Sequence, residues 1–166
     1  MAVGISIPVE EYLRTVYRPD CDYVDGEVVE RNLGEQSHGR LQGSIVRWLW
    51  DRESKHRFRT LPEVRLQVRK DRFRIPDIML IPLEASREKI IVSAPLLCIE
   101  VLSPEDTKPR ILKRIGEYFD MGVPTCWMVD PETGEAWIVA PGELTKVTDG
   151  ILRAGEIELP LADVLE

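Results

Sequence analysis

The sequence predicts an α/β or α+β fold in which helices flank a central mixed β-sheet. A short apolar stretch, residues 94–102, has the composition of a strand buried in the middle of a sheet. An amphipathic helix and a further strand follow it, which is the order of a crossover between parallel strands. The 166 residues are 43% hydrophobic and 31% charged, so we expect one domain spanning residues 1–166.

The N-terminal part predicts a helix, a hairpin and a second helix. Pro8 stands in the first turn of a short helix over VEEYLRTVY. Asp25 and Gly26 supply the positive φ angles of a tight hairpin turn within CDYVDGEVVER, and NLGEQ follows as a loop. A longer amphipathic helix is predicted from Ser37, which can cap it, to Ser54. Its apolar stripe comprises Leu41, Ile45, Trp48 and Leu49.

Two longer strands are predicted next, over residues 58–68 and 73–81, joined as an antiparallel hairpin at Lys70 and Asp71. Pro76 cannot donate to a sheet ladder, so the second strand must lie at an edge or be irregular there. An irregular strand beside an acid predicts an exposed carboxylate at Asp77.

The last predicted helix runs from Thr107 to Gly122, which provides its C-terminal stop. Its predicted inward residues are Ile111, Ile115, Tyr118 and Phe119, and its opposite face carries Arg110, Lys113, Arg114 and Glu117. Two paired strands, over residues 123–130 and 135–140, and a tail of short strands complete the chain.

The composition indicates a cytoplasmic protein. No segment approaches the roughly 18 apolar residues of a membrane helix, and the N-terminus lacks the features of a signal peptide. The three cysteines form no CxxC pair, so we expect reduced thiols, with Cys98 and Cys126 in the core.

The charges are unevenly distributed. Eleven Lys or Arg and four Asp or Glu lie between Arg40 and Arg74, a local charge of +7 in a chain whose net charge is −7. This basic segment is either a positive face for a polyanion such as DNA or, as is common for charge runs, a solvated and salt-bridged surface.

Asp77 and Glu100 are the strongest candidates for chemistry. Each lies on an apolar predicted strand, 23 residues apart in the chain. A buried carboxylate needs a metal, a cation or a proton, because burying its charge alone costs several kcal/mol. Two carboxylates on neighbouring strands can hold Mg²⁺ through oxygen ligands while substrate phosphates and waters complete its coordination.

At this point the residues resemble a family. The matching motifs are Pro76-Asp77, then Glu100-Val101-Leu102-Ser103-Pro104, then Tyr118 with Gly122-Val123-Pro124, then Trp127-Met128-Val129-Asp130-Pro131. In this order and spacing the chain resembles the Uma2 family, restriction-endonuclease-like proteins of the PD-(D/E)xK nuclease superfamily. The similarity extends from about Val9 to Pro131 and includes the YVDGE hairpin and the helix opening with His38-Gly39.

The resemblance implies a restriction-endonuclease-like sheet and a DNA-cleavage site dependent on Mg²⁺ or Mn²⁺, with Asp77 and Glu100 as metal ligands. Leu102 stands where the superfamily motif places its Lys. In this family the basic residue is displaced onto the following helix, where Arg114 or the adjacent Lys113 would act as the cation. The remaining candidates for supporting or substrate-facing roles are His38, Gln42 and Glu63.

Three functions follow as hypotheses. The favoured one is a metal-dependent DNA endonuclease. The second, suggested by Leu102 and Arg114, is a nuclease-fold module that binds nucleic acid or a protein partner without cleaving. The third is a structural homodimer with a buried pair of Glu100 and an Arg. A homodimer is expected in any case, because Trp48 and Trp50 cannot both face one core and the second indole suggests a subunit contact.

Overall fold

A computed structural model of the chain describes residues 6–31 and 34–166. Part of the predicted NLGEQ loop and the first five residues of the N-terminus therefore lie outside the described residues. The helices are α1 (Val9–Arg14), α2 (Gln36–Trp50), α3 (Glu53–His56) and α4 (Lys108–Asp120). None of the helices in the described residues is both long enough and apolar enough to cross a membrane.

The strands form three sheets. A four-stranded sheet has the order β2-β1-β5-β4, a six-stranded sheet has the order β10-β9-β8-β7-β6-β3, and β11 pairs with β12. The strand bounds are β1 (Cys21–Val24), β2 (Glu27–Glu30), β3 (Phe58–Pro62), β4 (Leu66–Arg69), β5 (Arg72–Arg74), β6 (Ile78–Pro82), β7 (Leu97–Val101), β8 (Cys126–Val129), β9 (Ala136–Ala140), β10 (Glu143–Lys146), β11 (Ile151–Ala154) and β12 (Ile157–Pro160).

The six-stranded sheet is mixed, as predicted. Strand β7 lies inside it, antiparallel to β6 and parallel to β8. Helix α4 connects the parallel pair, which confirms the predicted crossover. All five residues of β7 are buried, which is why an unbroken apolar sequence was required there.

The two long strands predicted over residues 58–68 and 73–81 are each divided in two, and this prediction was wrong. Their turn-proximal ends, β4 and β5, pair in the four-stranded sheet, whereas their distal ends, β3 and β6, pair in the six-stranded sheet. The first predicted strand is interrupted at Glu63, whose φ is +53°, and the second is interrupted at Pro76, just before β6. The break at Pro76 was expected, but β6 is an interior strand and Asp77 is buried. The interruption lets one hairpin contribute to two sheets.

Helix α2 is shorter than predicted, and Ser37 does not cap it. The helix begins at Gln36 after Glu35, ends at Trp50, and is followed by the separate short helix α3. The predicted apolar stripe is confirmed for Leu41, Ile45 and Leu49, which are buried. Trp48 is only partly buried and Trp50 is 56% exposed, so the two indoles do face different surroundings.

The six-stranded sheet separates two hydrophobic cores. Alternate residues of β6 and β7, including Ile78 and Ile99, pack on the side of α2. The residues between them, including Met79 and Cys98, pack on the side of α4. Because side chains alternate along a strand, Glu100 of β7 belongs to the second face. A third cluster of Tyr12, Tyr23 and Phe73 joins α1 to the four-stranded sheet.

The predicted polar face of α4 is only partly exposed. Arg110 and Lys113 are exposed, but Arg114 is largely covered and Glu117 is 8% exposed. Glu117 accepts hydrogen bonds from Arg72 and Arg74, at 2.7 Å from Nε of Arg74. Glu117 is buried because β5 brings two arginines against this face of α4.

The basic segment is largely engaged in internal contacts. Arg40 and Arg57 pair with Glu166 and Glu84. Arg65 donates to the carbonyls of Leu13 and Thr15, and further pairs involve Arg69, Arg72 and Arg74. For these residues the salt-bridged alternative describes the segment better than an open positive face.

Candidate active site

Strand register brings Asp77 and Glu100 together. Ile78 pairs with Ile99 in the antiparallel β6–β7 ladder, so the residue before Ile78 lies beside the residue after Ile99. Asp77 and Glu100 are 4% and 1% exposed. Glu100 faces α4, whereas the Asp77 carboxylate is approached by His38 of α2. The predicted pair of acids on neighbouring strands is thus brought into one location, where Asp77 is buried rather than exposed.

Asp77 is held from several directions. Its Oδ1 accepts a 2.9 Å hydrogen bond from Nη2 of Arg31, and its Oδ2 accepts a 2.8 Å hydrogen bond from the backbone N–H of Val101. The Nε2 atom of His38 lies 3.3 Å from the same Oδ2. Together these contacts fix both carboxylate oxygens with one charged donor, one backbone donor and one imidazole.

The start of α2 supplies two of the predicted supporting residues. His38 and Gln42 lie one helical turn apart and face the β6 end of the sheet. Gln42 donates from Nε2 to the backbone carbonyl of Asp77 at 2.9 Å. The hydrogen bond to Asp77, opposed in part by burial, raises the pKa of His38 above its ordinary value. Both residues therefore act on Asp77.

Helix α4 supplies two partners of Glu100. The phenol of Tyr118 donates to Oε1 at 2.6 Å, and Nη1 of Arg114 lies 3.4 Å from Oε2. Burial raises the pKa of Glu100 to about 7, with Asp77 adding to the effect while Arg114 and Tyr118 oppose it. The charges of Arg114 and Arg31 therefore do not fully offset the effect of burial on the pKa of Glu100.

The structure distinguishes between the two predicted cations. Arg114 reaches the acids, and the charges around it hold its pKa above the ordinary value against the effect of burial. Lys113 is exposed on the neighbouring position of α4 and lines neither cavity at the acids. Leu102 packs with the apolar residues on the α4 side of the sheet, so its side chain belongs to that core.

Two adjoining cavities open onto the acids. The outer cleft has a volume of about 540 Å³ and is bounded by residues 16–20 on one side and the start of α2 on the other. The inner cavity has a volume of about 30 Å³ and is lined by Arg31, His38, Asp77, Glu100, Val101, Ser103, Asp106 and Arg114. Arg31, His38 and Asp77 line both cavities and mark the passage between them.

Glu63 lies on the wall of the outer cleft, where its side chain is 51% exposed. Its Oε1 is 3.8 Å from Nη1 of Arg31, and its backbone N–H donates to the carbonyl of Asp77 at 3.2 Å. Its φ of +53° is unusual for a residue with a side chain. All of the predicted candidates except Lys113 therefore lie at or around Asp77 and Glu100.

Three residues at the site were not identified from the sequence. Arg31 reaches Asp77 from the segment after β2, Tyr118 was interpreted as a core residue, and Asp22 of β1 lies 3.9 Å from Nη2 of Arg114. The only available signal for Asp22 was an acid within an apolar strand, the same signal that identified Glu100. Arg31 carried no such signal, because it lies at the end of the predicted hairpin and on no apolar strand.

The donor set suits a hard divalent cation. Mg²⁺ commonly binds proteins through one or two carboxylates and completes its octahedron with waters and substrate phosphates. Asp77 and Glu100 provide that pair, and burial raises the pKa of Glu100 in spite of the nearby Arg114. Within residues 6–31 and 34–166, no group of three or more His, Cys, Asp or Glu side chains is arranged to enclose a metal. The residues therefore fit an open site that substrate helps to complete.

Comparisons with known proteins identify a structure of similar fold and a family. The structure resembles that of a "putative nuclease belonging to DUF820" from Anabaena variabilis with a TM-score of 0.80, at 22% sequence identity, over 95% of this chain and 97% of the other. The model of the Uma2 family, described as "Putative restriction endonuclease", matches residues 9–162. The chain therefore belongs to the Uma2 family, which confirms the resemblance found in the sequence motifs. The comparison with curated proteins gave no match.

Proposed function

We propose that this protein is a Mg²⁺-dependent (or Mn²⁺-dependent) DNA endonuclease that hydrolyses phosphodiester bonds. The observation that carries the proposal is the convergence of two buried carboxylates, Asp77 and Glu100, at the inner end of a cleft that also contains two arginines. Membership of a nuclease-like family and fold supports the same reaction class.

The charge of the cleft is consistent with metal dependence. Two arginines, Arg18 and Arg31, line the outer cleft together with four acids: Asp20, Glu35, Glu63 and Asp77. Such a surface repels a phosphodiester, whose binding to proteins depends on neutralising its charge. A divalent cation held by the carboxylates would reverse that repulsion.

In this proposal Asp77 and Glu100 would hold the metal, which supplies Lewis-acid activation of the phosphate and of the attacking water when bound. Tyr118 orients Glu100, while Val101 N–H, His38 and Gln42 orient Asp77. Arg114 stabilises the charge that develops on the phosphoryl group. A guanidinium remains protonated in proteins, so Arg114 cannot accept the proton of the water.

A nicking assay tests the proposal. Pure protein is incubated with supercoiled and single-stranded DNA in Mg²⁺ or Mn²⁺, and in chelator. Wild type is expected to cleave only with metal, and D77N and E100Q to be slower by about 10²-fold or more. D149N is the matched control, because Asp149 is exposed and pairs with Arg153 outside the cleft. Equal cleavage by D77N and wild type would falsify the proposal.

The alternative is a catalytically degenerate module that binds nucleic acid or a protein partner. It is favoured by the arginine already placed at each acid, Arg31 at Asp77 and Arg114 at Glu100. The same Glu100–Arg114 contact is the buried pair expected for a purely structural protein. For either alternative, calorimetry with Mn²⁺ would detect no binding at the acids, and E100Q would alter stability alone.

The cytoplasmic location and the homodimer stay predictions. Light scattering would test the homodimer.

A further inference from the structure

Arg31 lies between the two cavities and contacts an acid in each direction. Its Nη2 is 2.9 Å from Oδ1 of Asp77, and its Nη1 is 3.8 Å from Oε1 of Glu63. The Arg31 side chain is only 14% exposed, whereas that of Glu63 is 51% exposed. One guanidinium thus bridges a buried acid at the inner cavity and a solvated acid at the outer cleft.

We propose that Arg31 is a displaceable counter-ion, which competes with a divalent cation for Oδ1 of Asp77 and, once displaced, turns towards Glu63 and binds a substrate phosphate in the outer cleft. This inference rests on the proposed function for the identity of the substrate. The competition for Asp77 is a separate claim about binding and does not require cleavage.

Competition follows from the contacts of Asp77. Oδ2 already accepts from the backbone N–H of Val101 and faces His38. Arg31 is the donor at Oδ1, so that oxygen is where a cation would enter. A guanidinium and a metal ion cannot both occupy the same side of one carboxylate oxygen, and they repel each other at short range. We therefore expect metal binding at Asp77 to displace Arg31.

Glu63 gives the displaced guanidinium a partner. Its carboxylate is already within 4 Å of Arg31, and its backbone is tied to the carbonyl of Asp77. The positive φ of Glu63 is a conformation that tertiary contacts must maintain, which keeps this acid beside Arg31. A small rotation of the Arg31 side chain would replace its contact with Asp77 by a closer contact with Glu63.

The two arginines then have different tasks. Arg114 lines the inner cavity but not the outer cleft, and it contacts Glu100 and Asp22. Arg31 lines both cavities and would become available to substrate only after metal binds. Guanidinium groups match phosphate geometry and stay charged, so the displaced Arg31 suits a phosphate of the scissile or adjacent nucleotide.

The test is calorimetric titration of Mn²⁺ into wild type, R31Q, R31K and D77N, each verified as folded by thermal unfolding in chelator. R31Q is expected to bind Mn²⁺ about tenfold more tightly than wild type, because the competing charge is gone. R31K keeps the charge and is expected to stay within about threefold of wild type. D77N should lose the site. R40Q is the matched control, since Arg40 pairs with Glu166 and lines a different cavity.

A structure of wild type grown with Mn²⁺ gives a second measurement that does not depend on a variant. The expected result is metal density at Asp77 with the Arg31 guanidinium no longer bonded to Oδ1 and closer to Glu63. Metal at Asp77 with Arg31 still bonded to Oδ1 would overturn the proposal.

The outcomes separate the two proposals. Equal or weaker Mn²⁺ binding by R31Q, with D77N still losing the site, overturns the counter-ion inference and leaves the nuclease proposal standing. Tighter binding by R31Q in a protein that nicks no DNA supports the counter-ion inference and contradicts the nuclease. Absence of Mn²⁺ binding in both wild type and R31Q overturns both.

Discussion

The phenol of Tyr118 donates a 2.6 Å hydrogen bond to Oε1 of Glu100, and both residues are almost completely buried. Arg114, one helical turn earlier on α4, approaches the other oxygen at 3.4 Å. One face of one helix therefore supplies both a neutral and a charged donor to the same carboxylate. The position of Glu100 depends on how α4 docks against the sheet, and this docking can be tested.

Removing the hydroxyl of Tyr118 should destabilise the protein. Y118F leaves a buried carboxylate short of one donor, so at pH 8 we expect its free energy of unfolding to fall by about 2 kcal/mol. Y12F is the matched control, because the Tyr12 hydroxyl is also buried but donates to the neutral carbonyl of Cys21. Urea denaturation should show a smaller loss for Y12F, and equal losses would contradict a special role for the contact with Glu100.

Two replacements of Arg114 distinguish the effect of its charge from the effect of its guanidinium geometry. R114M should reduce nicking by about 10²-fold, because the guanidinium that stabilises the developing phosphoryl charge is then gone. R114K keeps the charge and should retain more activity than R114M. The control is R110M, an exposed position on the same helix. Initial nicking rates in Mg²⁺ provide the measurement, and identical rates for R114M and R110M would remove Arg114 from the site.

Asp22 is expected to support the site through the fold. It is 2% exposed, accepts from the backbone N–H of Ile75 at 3.1 Å and pairs with Arg74 at 3.0 Å. D22N removes one partner of a buried ion pair, so we expect a loss of about 3 kcal/mol in the free energy of unfolding. D20N, at an exposed position, should change it by less than about 0.5 kcal/mol. Urea denaturation compares the two variants directly.

The stability of the protein should depend on pH through Glu117. Burial acts to raise the pKa of Glu117, but hydrogen bonds and charges from Arg74 and Arg72 outweigh burial and hold that pKa below its ordinary value. Because the unfolded chain binds this proton more readily, the stabilisation is complete above about pH 4.5, the ordinary value, and disappears as the pH falls through the lower folded pKa.

The variant E117Q tests this dependence. It should lower the free energy of unfolding at pH 7, and the difference from wild type should narrow at pH values below about 4. E132Q, in the exposed turn before β9, is the control and should differ little from wild type at either pH. Chemical denaturation at both pH values gives the comparison. A gap between E117Q and wild type that widens on acidification would contradict the assigned ion pairs.

Local patterns in the sequence were sufficient for most elements of the fold. The Asp25-Gly26 turn, the apolar β7, the amphipathic α4 with its stop at Gly122 and the parallel crossover to β8 are all found in the structure. Each depends on side-chain periodicity or on the backbone preference of one or two residues, and these act over short distances. The same reasoning identified Asp77 and Glu100, because an acid on an apolar strand requires a partner wherever that strand lies.

Only the tertiary structure decided which of the candidate side chains contact each acid. Nothing local in residues 58–81 shows that one hairpin divides between two sheets, and that division brings the arginines of β5 to α4 and leaves Glu63 beside Arg31. Arg31 is 46 residues from Asp77 in the sequence. Asp22 lies in a different sheet from Glu100, and Tyr118 reaches Glu100 from helix α4. Long-range pairing depends on the packing of the whole chain. The sequence therefore indicated the two acids and the candidate cation Arg114, and the tertiary structure added Arg31 and decided between Arg114 and Lys113.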